Sequence, residues 1–181
     1  MLIQGIKALE DALAPWASAY SDSTTLSTTV TALHLAGMLV GGGLAIAADR
    51  ATLRISHERP GERERHLGEL KAVHRPVLIA LAILFITGLG MVASDINTFL
   101  TSPVLWVKLG LVALLVINGV ILERTEAGLR RNVVQSRRDD LPGSTDGEAP
   151  DRWGMLRAAA IASIALWIAT LVAGTVLTSA A

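Results

Sequence analysis

Two ionisable side chains fall inside long apolar stretches of the sequence. His34 lies in an apolar run from about Ser27 to Ala48, and Lys108 lies in another from about Pro103 to Leu122. A neutral imidazole nitrogen can bind a metal, and an ammonium can pair with an anion. Because ionisable groups are costly inside a bilayer, both are candidate functional residues. The structural alternatives are a hydrogen-bonded core histidine and a lysine whose ammonium reaches the headgroups.

His34 and Lys108 are expected at similar depth. A helix rises about 1.5 Å per residue, so each lies roughly 8 to 10 Å from the outer start of its span. Asp95 ends the preceding apolar stretch at the same surface and is a counter-ion available to Lys108. We therefore expect the three residues to form one polar cluster that can hold a propionate or another anion.

Small residues follow His34 on one helical face. Gly37 and Gly41 lie on that face at 100° per residue. Their small-xxx-small spacing lets a second helix or a flat cofactor approach the backbone closely. The sequence leaves both occupants open. Met38, one turn from His34, adds a thioether to the same region.

Four apolar segments are long enough to carry these residues across a membrane. A spanning helix needs roughly 20 mostly apolar residues. The segments cover about 27–48, 76–93, 103–122 and 158–177. The 181-residue chain is 51% hydrophobic and 18% charged, and its charges lie mainly between these segments. The predicted fold is therefore an all-α integral membrane four-helix bundle, a single domain over residues 1–181.

The residues before the first span predict a separate interfacial helix. Apolar residues recur at helical spacing from Leu2 to Leu13, and Trp16 follows. This pattern is typical of a helix lying on the membrane surface with a tryptophan as an interfacial anchor, and docking on a partner subunit is the alternative. No signal-peptide pattern is present, so we expect the first span to direct insertion.

Lysine and arginine are strongly biased to the two longer loops. Of the 16, only Lys7 and Lys108 lie outside loops 49–75 and 123–157 and their edges. The positive-inside bias predicts that both loops are cytoplasmic and that both termini lie outside. Each loop is expected to begin with a helical overhang, and the first contains a break at Pro60 and a second short helix.

Several remaining polar and aromatic side chains have simpler expected roles. His57 and His66 lie in a charged loop and are expected to be solvated. Asn118 is expected to bond across helices inside the bundle. Of the three tryptophans after Trp16, Trp106 and Trp153 are expected to be interfacial anchors. Trp167 lies mid-span and is expected to fill the core or to pack beside a ring.

Composition excludes several classes of function. The chain contains no cysteine, which excludes disulfides, thiolate metal sites and covalent c-type haem attachment. The net charge is zero and the basic loops are explained by topology, so nucleic acid is not an expected partner. No nucleophile, base and orienting residue converge as a hydrolase would require.

Two stretches carry a resemblance to known membrane proteins. HLAGMLVGGGLAIAADR, from His34 to Arg50, and the segment from Thr87 to Gly119 resemble small bacterial four-helix membrane proteins. RWGMLRAAAIASIALWIATLVAG in the last span fits the same pattern. The resemblance implies a bacterial inner-membrane protein, and the positive-inside bias then predicts that both termini are periplasmic.

A more distant resemblance implies a cofactor. His34 in the first span and the W-x-K-L-x-L-V element from Trp106 to Val112 look like features of copper-resistance D-type proteins and of small membrane protoporphyrinogen oxidases. The latter family implies haem b or porphyrin chemistry with an intramembrane His and Lys, which match His34 and Lys108. The third span continues as NGVILER, without the second histidine often found there.

Three functions follow as competing hypotheses. The first is a b-type haem or porphyrin-binding electron-transfer protein, with His34 as the metal ligand, Lys108 on a propionate, and Gly37 and Gly41 making room for the macrocycle. The second is a non-enzymatic accessory subunit of a larger membrane complex or a homo-oligomer within the lipid bilayer. The third is a transporter or copper-handling protein using His34, Met38 and Asp95.

Overall fold

The described residues of a computed structural model, 2–55, 60–139 and 149–180, form helices and no strand. The helices are α1 (Leu2–Asp22), α2 (Thr24–Arg54), α3 (Pro60–Ser94), α4 (Ile96–Thr101), α5 (Pro103–Asp139) and α6 (Ala149–Ala180). The all-α prediction is confirmed. The prediction for His57 lies outside the described residues.

Four of these helices, α2, α3, α5 and α6, are long and apolar enough to cross a membrane. Each contains one of the four predicted apolar segments, so the prediction of four long apolar helices is confirmed. Their surfaces remain largely apolar and exposed within the chain, as is expected when lipid rather than water surrounds them. The architecture is that of a multi-pass membrane protein.

Local capping explains where several helices begin. The Ser23 side chain accepts the Leu26 amide at 3.2 Å and separates α2 from α1. Proline occupies the first position of α3 and of α5, where its missing N–H removes no helical hydrogen bond. The Asp95 carboxylate accepts the Thr98 amide at 3.2 Å and caps α4.

The first loop is more continuously helical than the sequence predicts. The first span continues to Arg54 and the third to Asp139, as expected. The predicted short second helix of the first loop is instead the first part of α3, which runs without interruption from Pro60 through Pro76 to Ser94. The described part of this loop is therefore mostly helix that extends beyond the apolar span.

Helix packing produces three close seams and one loose one. α2 packs on α3 and α6, and α5 packs on α6, whereas α3 and α5 make few contacts. Within the described ranges, the backbones of the diagonal pairs, α2 with α5 and α3 with α6, stay apart. The bundle has two ends, which we call the α1 end, where α1 and α4 lie, and the basic end, where α2 ends and α3 begins.

The main apolar core lies at the basic end. Leu67 of α3, Leu129 of α5, and Trp153 and Leu156 of α6 are all nearly inaccessible and form one cluster. The prediction that Trp153 is an interfacial anchor is wrong, because the helical overhangs bring it into this core. Trp106, by contrast, is 58% exposed at the α1 end, where it donates to the Leu100 carbonyl.

The predicted N-terminal helix is present as α1, which separates apolar and polar faces more strongly than the long helices do. It packs on α3 and also touches α2 and α4. The Trp16 indole N–H donates to the Gly90 carbonyl at 2.8 Å. Trp16 therefore docks α1 on the bundle, and the position of α1 at a membrane interface stays a prediction.

Candidate functional site

His34 lies at the contact between α2 and α3, half-buried, near the α1 end. Its Nδ1 is 2.9 Å from the Thr87 hydroxyl oxygen, and that hydroxyl lies 2.6 Å from the Ile83 carbonyl. A hydroxyl has one proton, and a carbonyl can only accept. Thr87 therefore donates to Ile83, and the neutral imidazole donates from Nδ1 to Thr87. In this tautomer the lone pair lies on Nε2, and the ring also bonds to the Leu84 backbone.

A missing side chain on α3 makes room for the imidazole. A Cβ at Gly88 would lie 3.3 Å from His34 Cε1, closer than most such contacts. Gly88 thus allows the ring to lie directly against the α3 backbone, next to Thr87. Thr87 and Gly88 together fix the position and the tautomer of His34. The sequence alone does not reveal these roles of Thr87 and Gly88, because both depend on how α2 and α3 align.

Lys108 approaches the same region from α5. It is half-buried and interacts electrostatically with His34. Its ammonium lies 3.3 Å from the point that a Cβ of Gly174 in α6 would occupy, so this glycine provides the space for the lysine head. Lys108 therefore lies close enough to His34 for the two groups to interact electrostatically.

Asp95 does not complete the cluster. Its carboxylate is exposed and caps α4, and the ion pairs among the described residues do not include one with Lys108. The expected three-residue cluster is therefore a His–Lys pair, with the acidic residue in a structural role. The site as described carries more positive than negative charge, which favours an anionic ligand.

The space beside Gly37, Gly41 and Gly42 of α2 is occupied by neighbouring helices. A Cβ at Gly41 would lie 2.8 Å from Ala80 Cβ, and a Cβ at Gly37 would lie 3.3 Å from the Ala80 carbonyl. Trp167 of α6 is 5% exposed and packs over Gly42, so it fills the core. The occupant of the glycine face is a neighbouring helix, which was one of the two alternatives. A flat ligand of His34 would therefore lie elsewhere.

The expected hydrogen bond across the membrane-spanning helices is present at Asn118. Its side-chain amide donates to the Ala159 carbonyl of α6 at 3.0 Å, and Asn118 is 8% exposed. The bond satisfies an otherwise costly polar group and joins α5 to α6. The prediction for Asn118 is confirmed.

A second group of buried polar residues lies at the basic end. Asp49 of α2 is 5% exposed and bonds to Ser163 of α6. Thr52 of α2 and His66 of α3 are also buried, with 2.9 Å between the Thr52 hydroxyl and His66 Nε2. The prediction that His66 is solvated is wrong, because the extension of α3 lays it against α2. These contacts join α2 to both of its neighbours.

The donor groups limit which metal chemistry the chain can support. In residues 2–55, 60–139 and 149–180, His, Asp and Glu side chains do not form a group of three that could hold a metal ion. A metal at His34 would thus have fewer than three His, Asp or Glu ligands from the described residues. The chain matches no protein-family model, no curated protein and no solved structure.

Proposed function

We propose that the protein binds haem b or a related porphyrin, with His34 as the axial ligand and Lys108 paired with a propionate. The observation that carries this proposal is the hydrogen bond from His34 Nδ1 to Thr87. In this tautomer the lone pair lies on Nε2, where it can bind a metal. Histidine ligands of metals almost always donate their other ring N–H in this way. The half-buried Lys108 supports the assignment because it provides a cation close to that histidine.

The packing of α2 against its neighbours limits the positions that a macrocycle could occupy. Since Gly37 and Gly41 are covered by α3, the α2 glycine face is not available for it. His34 and Lys108 come from diagonal helices whose backbones do not touch, and the two groups interact electrostatically across the bundle. Cofactors of four-helix bundles are held in such interiors by facing helices. The loose seam between α3 and α5 is the expected side of entry.

When bound, haem would supply one-electron redox chemistry that the side chains lack. The protein would supply one imidazole ligand of fixed tautomer and one cation for the propionates. It would also supply an apolar surround that restricts water. Such a pattern is consistent with electron transfer within the membrane.

Absorption spectroscopy tests the proposal. Protein from haem-replete cells, purified in mild detergent, is expected to show a Soret band and a reduced-minus-oxidised difference spectrum. His34→Ala is expected to lose the Soret band, because His66 and His74, the other histidines in the part of the chain that the structure describes, lie in the half of α3 nearest the basic end. His66→Gln is the matched control, since it alters a buried histidine at the basic end and should keep the band.

A colourless wild-type protein from those cells would overturn haem binding. If that protein also copurified with defined membrane subunits, the accessory-subunit hypothesis would replace it. Lys108→Met should retain the Soret band but release haem more readily, because the propionate then loses its cation. If Lys108→Met retains haem as well as the wild type does, Lys108 does not pair with a propionate.

We further propose that the basic end lies in the cytoplasm and that the α1 end, with both termini, lies in the periplasm. The proposal is supported by the concentration of arginine at one end of the four spans. Because the chain has no cysteine, single-cysteine labelling is unambiguous. A membrane-impermeant maleimide should label Asn97→Cys in intact cells and Gly68→Cys only after lysis. The reverse pattern would overturn the orientation.

A further inference from the structure

An open cavity of about 580 Å³ lies between α2 and α3 at the basic end. Its cationic lining comes from three exposed arginines, Arg50 and Arg54 of α2 and Arg65 of α3. Glu62 and Glu69 of α3 also line it. The cavity therefore presents both signs of charge at the edge of the apolar spans.

The cations of this cavity are unequally paired. Arg65 bonds to Glu69 at 3.1 Å, so these two charges largely cancel. Arg50 and Arg54 take part in none of the ion pairs that the structure describes. Their guanidinium groups are the ones available to an anionic ligand, and guanidinium matches the geometry of a phosphate.

A second open cavity, of about 530 Å³, follows the same α2–α3 seam within the apolar span. Its lining is almost entirely apolar and includes Val40 of α2 and Ile79 and Ile83 of α3. Arg75 lines the end nearest the basic end. Val40 and Ile79 are more than half exposed, so this lining faces outward rather than into the bundle.

The two cavities lie on one face of the helix pair. Val40 of the apolar cavity and Ala47 of the basic cavity are seven residues apart, which returns to the same helical face. Glu69 and Pro76 have the same spacing on α3. Gly43 lies between the cavities on α2, and a Cβ there would meet nothing within 4 Å. The two cavities therefore lie end to end on one face of the helix pair, and together we call them the groove.

We propose that this groove is a binding site for an anionic phospholipid, whose headgroup phosphate is held by Arg50 and Arg54 and whose acyl chain lies along Val40, Ile79 and Ile83. The Arg50 and Arg54 guanidinium groups of the basic cavity complement the negative charge of a phosphate. The apolar cavity suits a hydrocarbon chain. The site is separate from the His34 region and does not depend on haem binding.

The dimensions of the groove agree with a lipid from one leaflet. From Pro76 to Ile83, α3 rises about 11 Å, which is within half of a hydrocarbon core of about 30 Å. The arginines lie beyond that stretch, at the boundary where headgroups are found. A zwitterionic lipid would leave its choline or ethanolamine cation among the same arginines, so the groove should prefer a net-negative headgroup.

Native mass spectrometry of the detergent-solubilised full chain tests the proposal. The protein is titrated with palmitoyl-oleoyl phosphatidylglycerol and, in parallel, with the matching phosphatidylcholine. The wild type should bind phosphatidylglycerol preferentially. The double variant Arg50→Gln, Arg54→Gln should bind it about tenfold more weakly, because each cation near a lipid surface contributes measurably to anionic-lipid affinity.

Matched controls separate the groove from general surface charge and bulk. Arg124→Gln with Arg131→Gln removes two exposed arginines of α5 that do not line the groove, and it should bind as the wild type does. Gly43→Phe should block the acyl channel and weaken binding. Gly110→Phe changes another glycine with open space around it and should not.

Three results would overturn the lipid site. The first is equal affinity of the wild type for the two lipids. The second is equal weakening by the two arginine double variants. The third is a protein dimer that Gly43→Phe dissociates, which would identify a second copy of the chain as the occupant of the groove. If a well-folded Gly43→Phe protein binds phosphatidylglycerol normally, the acyl chain does not lie along the apolar part of the groove.

Discussion

The bond between His34 and Thr87 is the contact from which the candidate site is built, and it also joins α2 to α3 near the α1 end. Thr87 is 7% exposed and donates its own proton to Ile83, so it is a fixed acceptor for the imidazole. Any substitution that removes the hydroxyl leaves a half-buried ring N–H without this partner. The Leu84 backbone remains as a partner of the ring, so the expected cost is that of one lost hydrogen bond, about 0.5–1.5 kcal/mol in proteins.

Thr87→Val is therefore expected to destabilise the protein. The substitution conserves shape, so the loss should reflect the hydrogen bond and amount to about 1 kcal/mol, or roughly 2 to 4 °C in Tm for a chain of this size. Thermal unfolding in a fixed detergent measures it. Thr87→Ser keeps the hydroxyl and should remain within 1 °C or so of the wild type; equal Tm values for all three proteins would contradict the role of Thr87.

At the residue scale, the sequence predicts which polar residues lie at the same depth, but it does not predict which side chains contact them. His34 and Lys108 could be brought together from helical rise alone, because both lie inside continuous spans of known direction. Thr87, Gly88 and Gly174 could not be identified, since their roles depend on the alignment between helices. Asp95 was assigned to Lys108 by proximity, whereas its local capping bond to Thr98 determines its position.

At the scale of elements, the α2–α3 seam depends on the absence of side chains from α2. A Cβ at Gly41 would lie 2.8 Å from Ala80 Cβ, and real Cβ atoms essentially never approach so closely. Because Ala80 has no flexible end that could move aside, the backbones of α2 and α3 would have to separate. The same separation would strain the packing of Trp167 on this face of α2.

Gly41→Ala is accordingly expected to lower stability by about 1–3 kcal/mol, the usual cost of overpacking. Gly110→Ala places the same methyl group in open space on α5 and should be neutral or slightly stabilising, because alanine favours helix. Denaturant unfolding of the two variants in one detergent compares them directly. A Gly41→Ala protein as stable as Gly110→Ala would show that the seam tolerates separation.

The elements inside the membrane were predicted more fully than those outside it. Apolar length alone predicts the four spans, whereas the many charges of the overhangs obscure which of their residues are buried. Their buried residues do follow helical spacing, with Leu67 three residues before Leu70 and Trp153 three before Leu156. This amphipathic pattern is the signal that would have predicted the core at the basic end.

At the scale of the whole molecule, the bundle consists of two halves joined mainly through one seam. The first half contains α1 to α3 and the second contains α4 to α6, and between them α2 packs on α6. Trp167 lies over Gly42, and the Arg157 guanidinium donates to the Leu53 carbonyl at 2.7 Å. Asp49 adds a bond to Ser163 within the same seam.

This division predicts that the protein can be assembled from two fragments. Residues 1–94 and 95–181, coexpressed with different tags, should copurify, because each fragment inserts its own spans and membrane helices then associate by packing. Trp167→Ala should reduce copurification by more than about tenfold, since Trp-to-Ala changes in packed sites cost about 3–5 kcal/mol. Ile168→Ala alters the neighbouring residue, which is 52% exposed, and should have little effect. If both variants copurify equally well, the two halves are held together by contacts other than the α2–α6 seam.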